Sequence, residues 1–422
     1  MRQALSTLRR VLVRHWPTLM AWYLAGEIVH ELAIELAGFV GGRTTLGGLL
    51  ILPIAVAARL ISYVAMYLTV RPSLRHTKPA ASGGLRGFTT ALLASILPFF
   101  AFYAAWGMLD ADRNEFLRIA ANSALAETGY GTEALGDRGG LVGGGPLSVA
   151  LLIVALAVRL LLGRFEQRLP VWTRAAAVYT EVLWTFMLFT LVGQWWAGVL
   201  GWISQRAGVD WLQGIGDWFA AQIPFIAGIW ELGTWTIGAV TDVVVMPAAW
   251  LMIVGVIYGT TFDGRTRLHA WSDTRLRGGA RWMIRGLLDR IESLWAAVTV
   301  IWRGGPALFG ATVLGYALWM LLERAGTRGV LQIIGGHEEL FWRAVLPMIL
   351  VLIAAVIEPL RVVLVATAYD AIVASPGSHL DAAGSERDVE ARGAAGTVGD
   401  GEHEGAVGVV RDDEHRDDVV GG

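Results

Sequence analysis

Apolar runs of about 20 residues recur along the chain with short clusters of charge between them, and nothing else in the sequence constrains the fold as much. A helix of that length reaches across roughly 30 Å of hydrocarbon. One such run fits the core of a soluble protein, but a series of them does not. Only 17% of residues are charged, against about a quarter in a soluble domain. The pattern predicts an all-α integral membrane protein with about eight transmembrane helices. They are placed at roughly 16–41, 46–70, 88–109, 146–163, 175–200, 236–261, 306–322 and 341–370. The seventh is the shortest, near the lower limit for crossing. The N-terminus is basic and then apolar, but its apolar stretch is too long, and too interrupted by carboxylates, for a cleaved signal peptide.

The charge between the spans sets the orientation. The N-terminus and the loops 71–86, 163–174 and 262–305 carry 4, 4, 3 and 8 basic residues. The alternate loops 42–45, 110–145, 201–235 and 323–340 carry 1, 3, 1 and 2. The bias has one sense at every crossing, so both termini are expected on the cytoplasmic side of a bacterial membrane. The 33 arginines against the single Lys78 read as the codon usage of a GC-rich bacterial genome. From Pro376 onward 12 acidic and 4 basic residues sit among glycines and alanines. That composition predicts a disordered acidic tail over 375–422, after a transmembrane domain over 1–374.

The spans are expected to pair as four hairpins, with basic amphipathic helices on the membrane surface. Ala4, Leu5, Leu8, Val11 and Leu12 share one helical face, as do Ile284, Leu287, Leu288, Ile291, Leu294 and Trp295, with arginines flanking both. Such helices lie along anionic headgroups at the cytoplasmic face. Three returning helices place a proline inside and a tyrosine near the inner end: Pro53 with Tyr67, Pro247 with Tyr258, and Pro359 with Tyr369. This arrangement resembles the membrane portion attached to some bacterial glycerophosphodiester phosphodiesterases, and related uncharacterised polytopic proteins. The resemblance implies a membrane fold of repeated hairpins. It carries over no catalytic residue, because nothing here is long enough for the barrel of that phosphodiesterase domain.

An ionised side chain at the centre of a bilayer costs at least about 2.5–3.5 kcal/mol, so the charges within spans point to function or to pairing. Glu27, Glu31 and Glu35 recur every four residues in the first span, with His30 beside them. That spacing stacks them on one helical face. Glu27 lies eleven residues from Trp16, and Arg59 eleven from Val70, each roughly 16 Å along its helix. Equal depth in adjacent antiparallel helices predicts a Glu27–Arg59 ion pair. A structural pair, a proton or cation path, and a metal site all fit these residue types. The zinc-protease motif needs a second histidine four residues after the first, and position 34 is isoleucine. Arg159 and Glu181 are candidates for a second pair, Glu358 and Arg361 for a third at helical spacing, and Asp242 lies toward the outer end of its span.

Seven tryptophans lie between 195 and 235, and Trp211, Leu212, Ile215, Trp218, Phe219 and Gln222 fall at helical spacing. They predict a surface helix that anchors at the interface or receives a partner protein, lipid or glycan. The first part of the outer loop 110–145 is expected to hold a short helix. The chain has no cysteine, no phosphate-binding GxxxxGK[ST] loop and no Gly-x-Ser-x-Gly elbow. No cofactor and no nucleic-acid partner are expected, and a membrane enzyme stands as the third reading behind two others. The first is a transporter-like, permease-like or lipid-handling protein, and the alternative is a non-catalytic scaffold or assembly subunit with structural charges.

Overall fold

A computed structural model of the chain describes residues 2–77, 84–128, 146–164, 173–206, 241–259 and 305–374, with 211, 236 and 238. The surface helix around Ile284–Trp295, most of the tryptophan-rich segment, the glycine-rich stretch before Pro146 and the acidic tail lie outside these residues. Contact clustering sets Met1–Ala374 apart from Ser375–Gly422. The described residues form helices and no strands.

Among the described residues nine α-helices follow in order: α1 (Arg2–Arg43), α2 (Thr45–Val70), α3 (Gly84–Ala105), α4 (Met108–Thr128), α5 (Pro146–Arg164), α6 (Thr173–Ser204), α7 (Met246–Ile257), α8 (Pro306–Ile334) and α9 (Glu339–Val373). A 3-10 turn, Arg71–Ser73, extends α2, and a π-helical turn, Thr241–Val245, opens α7. Five helices among the described residues are long and apolar enough to cross a membrane: α2 with its extension, α3, α6, α8 and α9. α5 and α7 are apolar but shorter.

Several boundaries differ from the sequence expectation. The amphipathic N-terminal stretch and the first span are one 42-residue helix, uninterrupted at Pro17. Val11 faces inward while Arg9 and Arg10 stay exposed. The helix runs through without a break even though Pro17 removes a hydrogen bond and disfavours helix at Trp16 before it. The seventh span does not stop near 322: α8 continues through Glu323 and Arg324 to Ile334, 29 residues in all. It ends where Gly335 takes φ +81°, a conformation that favours glycine.

The third span ends early. α3 stops at Ala105, Gly107 takes φ +73°, and α4 begins at Met108. α4 is amphipathic and runs alongside α1 in the same direction: Asp112 meets His30, and Cβ atoms built on Gly38 and Gly42 would touch Ile119 and Ser123. The close approach needs small residues. A Cβ on Gly41 would lie 2.7 Å from the Phe116 ring. α4 also changes the hairpin pattern. α1 with α2, and α8 with α9, pack as consecutive pairs, but α5 packs on α6, and α3 packs on α6, α7 and α2. The chain leaving α3 follows α1 instead of returning along α3, so the expected pairing of the third and fourth spans is replaced.

The tyrosines Tyr67, Tyr258 and Tyr369 converge. Tyr258 donates to the Tyr67 carbonyl at 3.0 Å, and the Tyr258 and Tyr369 rings meet edge to face at 5.6 Å. Arg71 donates to the Tyr258 carbonyl at 2.9 Å. α2, α7 and α9 thus close around one aromatic layer. Trp250 fills the space above it, with ring centroids 4.9 Å from Tyr63 and 5.0 Å from Phe102. Below it, the Asp370 carboxylate accepts the backbone N–H groups of His76 (2.8 Å), Thr77 (2.9 Å) and Arg75 (3.3 Å). It anchors the segment after α2 to the end of α9.

Candidate functional site

The buried stripe of α1 runs through Glu27, His30, Ile34, Ala37 and Gly41, in steps of three and four residues as a helix requires. Glu31 and Glu35 are exposed instead, so the expectation of one acidic face fails. Each step of four overshoots a full turn by about 40°, which carries an every-fourth-residue series off a straight stripe. Only Glu27 of the three points inward. Arg118 of α4 lies within electrostatic reach of Glu35.

Glu27 and Arg59 meet as a two-toothed pair. Arg59 Nε donates to Glu27 Oε1 and Nη2 to Oε2, each at 3.0 Å. The third arm of the guanidinium, Nη1, donates to the Tyr103 hydroxyl at 2.7 Å. Tyr103 donates in turn to Asp112 Oδ2 at 2.6 Å. The other oxygen of Asp112 lies 3.3 Å from His30 Nε2 and 3.7 Å from Arg59 Nη1. The ring closes on the backbone, where His30 Nδ1 is 3.0 Å from the Ala55 carbonyl. Four helices contribute: α1 gives Glu27 and His30, α2 gives Arg59, α3 gives Tyr103 and α4 gives Asp112. The two helices that meet at Gly107 each supply a member, so the network sits beside the break.

Sequence reading did not include Tyr103 or Asp112. The available signal was on α4, where Met108, Asp112, Phe116 and Ile119 follow one another at helical spacing. Asp112 is the charged member of an otherwise apolar face, and a carboxylate there needs a buried partner. The set is largely closed to solvent: side-chain exposure is 1% for His30, 7% for Asp112, 9% for Glu27 and 24% for Arg59.

The other candidates form separate sites. Glu358 accepts from Arg361 on its own helix and from the Tyr63 hydroxyl of α2 at 2.6 Å. Aromatic rings enclose the Arg361 guanidinium, which lies 3.9 Å from the centroid of Trp250 and 5.4 Å from that of Trp319, a favourable cation–π setting. Tyr23 stands between the two clusters, within reach of Glu27, Arg59, Glu358 and Arg361. Arg159 of α5 pairs with the fully buried Glu181 of α6. Asp242 lies half-buried on the π-helical turn. Among the described residues, no three His, Cys, Asp or Glu side chains converge as metal ligands. No protein-family model, curated protein or solved structure matches this chain.

Proposed function

We propose that this is a permease-like protein of the bacterial cytoplasmic membrane that moves a solute, ion or lipid by rearrangement at the junction of α3 and α4. Adding α1, α5 and α7 to the five long apolar helices restores the eight spans read from the sequence, with both termini inside. On that reading the Glu27–Arg59 pair lies near mid-depth. One observation carries the proposal: two carboxylates, a guanidinium and an imidazole gather where a helix is interrupted. Ionisable groups inside a bilayer are costly and mark paths or pumps, and discontinuous helices at mid-depth are where secondary carriers hold their ions.

At the inner end, a groove of about 370 Å³ opens between α1, α8 and α9. Leu8, Leu308 and Leu364 form apolar wall, with Arg75 and His76 at one side beside Asp370, whose carboxylate is taken up by His76 and the backbone amides it accepts from. This chemistry suits the headgroup and first methylenes of an anionic lipid. The test is reconstitution into phosphatidylethanolamine–phosphatidylglycerol vesicles with two readouts: internal pyranine for protons, and dithionite quenching of labelled phosphatidylglycerol for lipid. Movement in either arm beyond protein-free vesicles, lost with Arg59→Met, is the expected result. Two silent arms would sink the carrier reading.

The second reading is a membrane scaffold. The near-complete burial of His30, Asp112 and Glu27 favours it, since a network sealed by packing holds four helices together whether or not anything passes.

A further inference from the structure

The hydrogen-bond pattern around His30 fixes where protons must be. The Ala55 carbonyl can only accept, so the Nδ1 that faces it at 3.0 Å carries a hydrogen. In a neutral imidazole that leaves Nε2 as a bare lone pair. Nε2 faces Asp112 Oδ1 at 3.3 Å with both side chains buried. A lone pair against a carboxylate repels, and neither group has water to turn to. A proton between them converts that contact into an attraction.

Charge balance gives the same answer. Glu27 and Arg59 cancel. Asp112 then leaves one uncompensated negative charge in a closed site, unless His30 is an imidazolium. Asp112 Oδ2 already accepts from Tyr103 and Oδ1 faces Arg59 Nη1, so both oxygens are used as acceptors and the proton has its place on His30. The groups that face the pair are Glu27 from α1, Arg59 from α2 and Tyr103 from α3.

We infer that His30 and Asp112 form a proton-binding site in which one exchangeable proton, held on His30, completes an electrically neutral tetrad with Glu27 and Arg59. The site stands on these contacts alone. Its role as the coupling-ion site rests on the carrier reading above. When the proton leaves, Asp112 keeps Tyr103 and Arg59 but loses its partner on α1, and the α4 that bears it loses a tie to that helix. Protonation is thereby linked to the position of the helix after the break.

Val29–His30 is the one Val–His sequence in the chain. Carbonyl-¹³C valine with ¹⁵N histidine therefore assigns His30 in the full-length protein without any variant. The expected spectrum near neutral pH shows hydrogens on both His30 ring nitrogens, and Asp112→Asn leaves one. A wild-type His30 with a hydrogen on Nδ1 alone, and no carboxylic-acid infrared band that Asp112→Asn removes, overturns the inference. Proton flux into pyranine-loaded vesicles tests the role separately. With a doubly protonated His30 and no proton flux, the proton site survives and its role as the coupling-ion site falls.

Discussion

Arg59 and Arg361 present the same problem, a guanidinium among apolar helices, and the protein solves it in two ways. Arg361 finds its counter-charge on its own helix, though its Nε meets no acceptor among the described residues. Its carboxylate partner, Glu358, is three residues away on the same helix, and Trp250 and Trp319 enclose the rest. Arg59 depends on three other helices, through Glu27, Tyr103 and Asp112. The ion pair of Glu358 and Arg361 moves with its helix as a unit, while Tyr63, Trp250 and Trp319 pack against it from α2, α7 and α8. A distributed network fixes the arrangement of helices and is broken when they shift. The first suits an element of constant structure, the second a place where arrangement and charge are coupled.

The comparison breaks most severely if Arg59 is reversed. Arg59→Glu places three carboxylates together, and the protein is expected to fail to accumulate in the membrane, as read by fluorescence-detected size exclusion. Glu27→Arg added to Arg59→Glu is expected to restore part of the folded peak. A double change worse than either single one removes the pairing from the account. Next comes removal of each pair as a whole. A broken buried pair costs about 3–5 kcal/mol, whereas removing both members together is often nearly neutral. Glu358→Gln with Arg361→Met is therefore expected to lower the melting temperature in detergent only slightly. Glu27→Gln with Arg59→Met is expected to lower it clearly more, since Asp112 and Tyr103 lose a partner outside the pair. Equal losses would mean that the two sites do not differ in kind.

Gly107→Ala forces a side chain into φ +73°, a cost of about 1–2 kcal/mol. The expected loss falls on the junction, so hydrogen exchange should quicken around Met108–Asp112 and not around Arg361. The smallest effect is at the exposed Glu115–Arg118 pair of α4. The hydrogen bond from Arg118 holds the Glu115 carboxyl below its ordinary value of 4.5. A depressed carboxyl adds stability above its unfolded value and loses it as pH falls through the folded one. Arg118→Ala is expected to cost a few tenths of a kcal/mol at neutral pH, and the difference from wild type should vanish in acid.

Helical geometry made part of this legible in the sequence. Residues eleven from the same side of two adjacent helices are at one depth, and that was enough to bring Glu27 and Arg59 together. Arg159 with Glu181 and Glu358 with Arg361 followed from similar reasoning. Glu31 and Glu35 did not, because a four-residue repeat drifts around the helix while the buried stripe advances by three and four. Asp112 and Tyr103 were hidden for another reason. α4 is too polar to read as a span, so its place against α1 depends on the small residues Gly38, Gly41 and Gly42, whose value lies in contact and not in hydropathy. The end of α3 at Ala105 was equally obscure, since Trp106 and Met108 continue the apolar run past the break.

The grip of Asp370 on the segment after α2 has a consequence for biosynthesis. The residues it holds, Arg75 to Thr77, lie some 293 to 295 positions earlier in the chain, and Tyr63 waits as long for Glu358. A ribosome that has delivered α1 and α2 has not yet made the groups that finish them. The first pair of helices must remain in the membrane with an unmet tyrosine and a loop of bare amide hydrogens while the rest of the chain is translated. The last helix to emerge completes the first, so a chain truncated before α9 lacks the fastener of its own beginning.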